Sequence, residues 1–400
     1  MDVGIEKMQL YAGRLWADVL ELARARGKDL DFVEREIMAL GRSVVPEYED
    51  TVTLAVNATR GLLDDGERDN IDLLIVATES GLDFGKPVST WVHRHAGLGP
   101  NCRNVEIKHG CYSGVGALQL ALARVAAHPE RKALIVAADL TRPTLEDFDF
   151  LGGGCAVALV VVADPQILEL DPERSGYWTH EVADVFRPTA RAEIGDNETS
   201  LFAYLDALDG AFDHYVARTG TADYHASFKA HVYHAPFPGM TLRAHRSLMT
   251  RLGAARAEIE RSFREKVEPG LRFARHLGSA YGASNFVCLL GLLASAADLG
   301  PGDRVSLFAY GSGCQGEFYD GTIGPAARGL VARLELDRHL ESRVRVSFDQ
   351  YVATERVREA RIDASDYQPV RDALYEAAYA GQGWLVLEAV EGYRRRYGRS

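Results

Sequence analysis

Two stretches constrain the fold more than any others. Lys132–Asp139 reads KALIVAAD and Cys155–Asp164 reads CAVALVVVAD, and neither shows the apolar–polar alternation of a strand with one wet face. Consecutive β-branched and small apolar residues describe strands covered on both faces, as in a sheet packed between helices. The surrounding sequence supplies further strands and the helices. Asn70–Ser80, NIDLLIVATES, is a buried strand ending at a polar turn, and Asn104–Gly110, NVEIKHG, is another. Lys86–Leu98 fits a short helix. Cys111–Pro129, CYSGVGALQLALARVAAHP, opens on small residues and reads as a helix stopped by its proline.

The second half follows the same plan. Ser227–Met240, SFKAHVYHAPFPGM, is a strand running into a turn, and TLRAHRSLMTRL after it is a helix. Tyr281–Gly300 is a second small-residue helix, and DRVSLFAYGSG and GWLVLEAV are strands. CYSGVGALQLAL and YGASNFVCLLGLL hold corresponding places, with Tyr281 where the first half has Cys111, and so do IVATESG and VYHAPFPG. An α/β protein made from one duplicated unit is expected. Residues 1–165 would form the first copy and 166–400 the second, with equivalent strand ends meeting near a shared centre. Reactive groups in α/β sheets gather beyond the carboxyl ends of strands. That rule singles out Glu79, Cys111 and His234.

Composition removes several classes of function. No apolar run approaches the roughly 18–20 residues of a membrane span, and the charged, amphipathic N-terminus is not a signal peptide. Cysteines 102, 111, 155, 288 and 314 are an odd count without metal-site spacing. A reducing cytoplasm is therefore expected, with no disulfide framework and no structural zinc. A net charge of −12 argues against a nucleic-acid partner. Positive charge is nonetheless concentrated in Thr241–Lys266, with seven Lys/Arg against three Glu, and in the tail YRRRYGRS. Each is either a solvated stretch or a docking patch for an acidic partner or a phosphate.

Each reactive candidate has an ordinary alternative. Cys111 follows a strand and opens a helix, whose N-terminal N–H groups and partial positive charge favour thiolate over thiol; otherwise it is a small buried hydrophobe. The other cysteines lack that setting and read as packing. Glu79 at a buried strand end is expected to have a raised pKa suited to proton transfer, or to serve as a turn carboxylate. His234 precedes a loop stiffened by Pro236 and Pro238, whereas His231 on the same strand would face the other way. FAYGSGCQGEF is a Gly-rich turn without a nucleotide fingerprint, whose backbone N–H groups suit an oxyanion or a carbonyl. Gly152–Gly154 lets two backbones approach closely or makes a turn.

Taken together, these segments resemble the 3-hydroxy-3-methylglutaryl-CoA (HMG-CoA) synthase family of the thiolase superfamily. VGIEKMQLYAGRLW, ATESGLD, IKHGCYSGVGALQLA, YHAPFPGMTLRAH and AYGSGCQGEFY carry the resemblance along nearly the whole chain. It implies a thiolase-like helix-sheet-helix-sheet-helix sandwich, a Cys111 nucleophile, a Glu79 general acid/base and an acceptor-binding His234. Gly110, Tyr204, Arg243, Ser279, Tyr281 and Ser312 are the substrate-binding positions it implies. SVVPEYEDTVTLAVNATRGLL and FRPTARAEIGDNETSLFAYLDALDGAFDHYV resemble the branch that performs polyketide β-branching on acyl carrier proteins. Such carriers are acidic, which makes Arg243, Arg246 and Arg251 the implied docking residues. The resemblance further implies a homodimer that uses no metal or redox cofactor, the phosphopantetheine arm arriving with the substrate as carrier protein or CoA. Three features depart from the family: Ser279 replaces its usual Asn, Gly110 replaces the commoner Ala, and LEDFDFLGGGC is altered.

Overall fold

A computed structural model describes residues 2–143, 145, 148–221 and 223–400. The first half contributes strands β1 (Val3–Tyr11), β2 (Ile71–Ala77), β3 (Arg103–Ile107), β4 (Lys132–Leu140) and β5 (Gly154–Ala163). The second contributes β6 (Leu168–Thr179), β7 (Ala230–Tyr233), β8 (Arg304–Gly311) and β9 (Gln315–Ile323). Their order across one continuous sheet is β7-β8-β9-β6-β1-β5-β4-β2-β3.

The duplication is visible in the pairing. β2 runs parallel to β4 and β4 antiparallel to β5, just as β7 runs parallel to β8 and β8 antiparallel to β9. The halves join where β1 pairs with β6 over Val3↔Leu170, Gly4↔Glu169 and Ile5↔Leu168. Among the described residues the second copy has no counterpart of β3.

The doubly apolar runs now have a cause. Ile135, Ala137, Val157 and Leu159 face one core, which they share with helix α3 (Ser113–Ala127). The intervening Leu134, Val136, Ala158 and Val160 face another, with α1 (Thr51–Ala58) and α2 (Val88–His95). The second-half strands of this sheet are covered by α4 (Asn197–Thr219) and α5 (Pro238–Arg251), while α6 (Ser284–Ser295) shares the core of α3. The layered sandwich expected from the sequence is thus present. α3 and α6 touch at their starts: a Cβ on Gly114 would overlap the Gly282 carbonyl, and one on Gly282 would lie 2.7 Å from Ser113 Oγ.

The strand expected in GWLVLEAV is present as Leu385–Glu391. It lies outside the nine-stranded sheet and pairs with Arg394–Arg399 in a separate hairpin. The Arg-rich tail is therefore a paired strand. Arg395 lies 3.1 Å from Asp50 Oδ2, and the Tyr397 hydroxyl donates to the same oxygen at 2.8 Å. Helix-capping Asp50 draws these groups onto the core, so the tail's charge is partly consumed internally. Of the altered LEDFDFLGGGC stretch, Glu146 and Asp147 lie outside the described residues. Its glycines serve close approach: a Cβ on Gly153 would collide with the Leu277 carbonyl, and one on Gly278 with the Gly152 carbonyl.

Candidate active site

β2 ends at Ala77, and the turn beyond it is built on Asp139 of the neighbouring β4. Asp139 Oδ1 accepts from the Thr78 hydroxyl, the Glu79 N–H and the Ser80 hydroxyl at 2.9 Å each, and from the Ser80 N–H at 3.1 Å. These donors hold the Asp139 charge in place although burial pushes its pKa up. Glu79 carries no such cluster of donors. Burial and the Asp139 charge push its carboxyl well above the usual range, and Arg187, 3.5 Å away, pulls back only in part.

Cys111 stands half-buried between β3 and α3, two residues before the first helical residue, Ser113. The expected helix-stabilised thiolate is not what the surroundings favour. Burial pushes the thiol up, and the charges of Glu79, Asp139, Glu193 and Asp184 push it further. At rest Cys111 is a thiol with a carboxyl beside it. Gly110 brings them together: its φ is 45°, and a Cβ there would stand 3.6 Å from Glu79 Oε2 and 3.3 Å from the Ser312 backbone nitrogen. The Gly-rich turn after β8 thus closes one wall, and the Gly313 N–H donates to Asp184 at 3.0 Å.

The internal repeat is shifted by one residue from its sequence reading. Ser113 and Ser284 are both first helical residues, and Gly110 and Tyr281 share positive φ values of 45° and 44°. Tyr281 therefore matches Gly110, and Gly282 matches Cys111. The Tyr281 hydroxyl donates to Thr141 Oγ1 at 3.0 Å; burial raises this phenol, and Arg187, Glu193 and Glu79 act on it.

His234 lies one residue past β7, with its N–H donating to the Phe308 carbonyl at 2.7 Å. Burial lowers its pKa to about 3, so the ring is neutral, and its Nδ1 is buried without a partner among the described residues. Among the described residues it makes no hydrogen bond to Cys111 or Glu79. Aromatic layers run from it to Asp184: Tyr204 stacks on His234 at 6.1 Å and packs on Tyr310 at 5.1 Å, whose hydroxyl donates to Asp184 at 2.7 Å. Tyr204 itself is 2% exposed, and its hydroxyl is given to the His234 carbonyl at 2.9 Å. It supports His234 rather than presenting a free group to substrate. His231 does face elsewhere, stacked on Tyr224 at 4.2 Å with Nδ1 2.8 Å from Ser306 Oγ.

The remaining candidates are dispersed. The Ser279 N–H donates to the Leu151 carbonyl at 3.0 Å, beside the glycine crossing. Arg243 lies over Phe237, 3.9 Å from Glu36, and Arg251 is committed to Asp209 and Asp213 at 3.1 and 2.8 Å. Arg246 is exposed on the same helix. The basic patch is smaller than the sequence count suggests. Asp139, Asp184, Arg187 and Glu193 were missed as site residues. Asp139 carried the signal that found Glu79, a carboxylate at the end of an apolar strand. The others sit in irregular chain, where no periodicity marks them.

The fold and this arrangement define a thiolase-like protein in which the residue before a cysteine at a helix start adjoins a strand-end carboxyl whose charge acts on the thiol. The model of the family described as hydroxymethylglutaryl-coenzyme A synthase C terminal matches residues 245–400. The polyketide biosynthesis 3-hydroxy-3-methylglutaryl-ACP synthase PksG of Bacillus subtilis is 36% identical over 371 residues, covering 88% of this chain and 87% of its own. The hydroxymethylglutaryl-CoA synthase of Enterococcus faecalis is 32% identical, covering 88% and 91%. The HMG synthase of the curacin biosynthetic pathway, solved in complex with an acetyl donor-ACP, superposes with a TM-score of 0.95 at 34% identity over 100% of both chains. The chain belongs to the HMG-CoA synthase family.

Proposed function

We propose that this protein is an acyltransferase that condenses an acetyl group with the β-ketone of a β-ketoacyl thioester on an acyl carrier protein. The product is of the 3-hydroxy-3-methylglutaryl type, as in polyketide β-branching. The observation that carries the reading is the Glu79 carboxyl beside Gly110, its charge acting on the adjoining Cys111 thiol, in a chain similar throughout to synthases named for or solved with carrier-protein partners. The Cys111 sulfur attacks the donor thioester carbonyl; the new S–C bond forms, and the donor thiol leaves with the proton. The Glu79 carboxylate then takes a proton from the acetyl methyl, and the enolate carbon attacks the acceptor ketone. Protonated Glu79 returns its proton to the new alkoxide. A neutral His234 hydrogen-bonds the acceptor. Water cleaves the Cys111 thioester, giving the free carboxylate and restoring the thiol. The phosphopantetheine arm comes with the substrate, and the working form is a cytoplasmic homodimer. No helix among the described residues is long and apolar enough to cross a membrane.

The test compares acetyl transfer to Cys111 from acetyl-carrier protein and from acetyl-CoA, read by intact mass spectrometry. Labelling by the carrier protein, followed by condensation with a carrier-bound acceptor, is expected. If acetyl-CoA alone labels Cys111 and supports turnover with acetoacetyl-CoA, the protein is a CoA-using synthase instead. No label from either donor on folded protein would mean a non-catalytic member of the fold.

A further inference from the structure

Among the described residues, the cation paired with Glu79 is Arg187, and it comes from outside the duplicated core. Arg187 follows Val185–Phe186, which pairs with Ile194–Gly195 in a short hairpin. Its side chain is 16% exposed and forked. Nη1 lies 3.5 Å from Glu79 Oε1 and 3.4 Å from Ser80 Oγ, while Nε lies 3.0 Å from Glu193 Oε2. The hairpin is anchored independently of Glu79. Before it, Asp184 accepts from Tyr310 and Gly313; at its tip, Arg191 pairs with Asp363 at 3.0 Å.

We propose that Arg187 is a positioning residue of the condensation: its guanidinium, shared between Glu193 and Glu79, holds the Glu79 carboxylate beside Cys111 and sets how readily Glu79 takes up a proton. The proposal rests on the reading of Glu79 as the base. The groups around Glu79 fix the sign. Asp139 from β4 and Glu193 from the hairpin are anionic and favour protonated Glu79, whereas Arg187 favours the carboxylate. Cys111 and Tyr281 face it from the other sides, both raised by burial and so neutral at rest. A guanidinium suits this place because it stays charged throughout and cannot take the proton in transit. Glu193 draws part of that charge away. Neutralising Arg187 should therefore raise the proton affinity of Glu79, and neutralising Glu193 should lower it. General damage to the hairpin would not give opposite signs.

The measurement is a carboxyl ¹³C NMR titration of the whole protein, with the Glu79 resonance assigned by its loss in Glu79→Gln. Arg187→Met should move the Glu79 midpoint up by at least one pH unit, a tenfold gain in proton affinity; Arg187→Lys should restore most of it, and Glu193→Gln should move it down. In parallel, the acidic limb of single-turnover condensation by pre-acetylated enzyme should shift the same way. A midpoint unmoved in Arg187→Met, or moved alike in Arg187→Met and Glu193→Gln, overturns the proposal. Midpoints that move as expected while the condensation limb stays fixed would sink the reading of Glu79 as base instead.

Discussion

Gly114→Ala probes the seam between the two halves. The new methyl would overlap the Gly282 carbonyl oxygen and stand 2.9 Å from that carbonyl carbon and 3.1 Å from Phe286 Cε2. The first two are backbone atoms at the start of α6, so no side chain can simply swing aside. Overpacking of this kind costs about 1–3 kcal/mol. Replacing a helical glycine by alanine recovers about 0.5–1 kcal/mol, which leaves a net loss of roughly 1–2 kcal/mol. The functional effect should exceed the stability effect. Relief requires the starts of α3 and α6 to part, and Cys111 lies three residues before Gly114, in the turn that leads into the helix that moves. A misplacement of about 1 Å is enough for a loss on the order of 100-fold. The assay is the single-turnover rate of Cys111 acetylation, alongside thermal unfolding. Gly329→Ala is the control: it lies in the helix Ala327–Ala332, and its Cβ would meet nothing within 4 Å. That variant should gain stability and keep its rate. If Gly114→Ala behaves like Gly329→Ala in both measurements, the seam does not position the nucleophile.

Glu79→Gln should still accept acetyl on Cys111 but fail to condense; loss of acetylation would mean that Glu79 serves the first step. Because the Glu79 carboxyl is raised by burial and by Asp139, and the carboxylate is the base in the proposed mechanism, condensation should increase with pH through that raised pKa and fall away on acidification, a profile read with pre-acetylated enzyme. His234→Ala should slow condensation at least tenfold more than acetylation; equal loss in both steps would assign the ring a structural role. Glu49, buried between the Tyr11 and Tyr379 hydroxyls at 2.7 Å each, has its pKa raised from 4.5 to about 7 by burial. The folded state then binds this proton more tightly than the unfolded state. Stability should decline by about 3 kcal/mol between those pH values, and Glu49→Gln should flatten the decline in denaturant titrations at pH 5 and pH 8.

What the sequence made legible is what periodicity and strand ends encode. KALIVAAD and CAVALVVVAD required a sheet covered on both faces because consecutive apolar residues point both ways from a strand, and the two cores take alternate residues. Glu79 and Cys111 were found because they interrupt apolar segments where a strand gives way to a turn. The repeat misled by one position, since small residues at both helix starts allow several alignments by eye. Only the matched positive φ of Gly110 and Tyr281 fixes the register. GWLVLEAV has the pattern of a sheet strand, but pattern says nothing about which partner takes it, and Arg394–Arg399 does. Arg187 and Glu193 were out of reach for a different reason. Their roles depend on where an irregular hairpin lands, and that is set by distant anchors at Asp184 and Asp363.

The acidity of the site is what most separates the structure from the expected thiolate. A site built to keep a free thiolate would place a cation at the sulfur, yet Arg187 is engaged with Glu79 and Glu193. The charges of Glu79, Asp139, Glu193 and Asp184 oppose a thiolate but not a thioester, because the acylated sulfur carries no charge. The surroundings therefore penalise only the transient anion of the first step. In the proposed mechanism Glu79 is the base of the second step, where a raised pKa is better matched to a weak carbon acid than an ordinary carboxylate would be. On this argument the site is arranged around the acetylated enzyme, and the free thiol is its resting form.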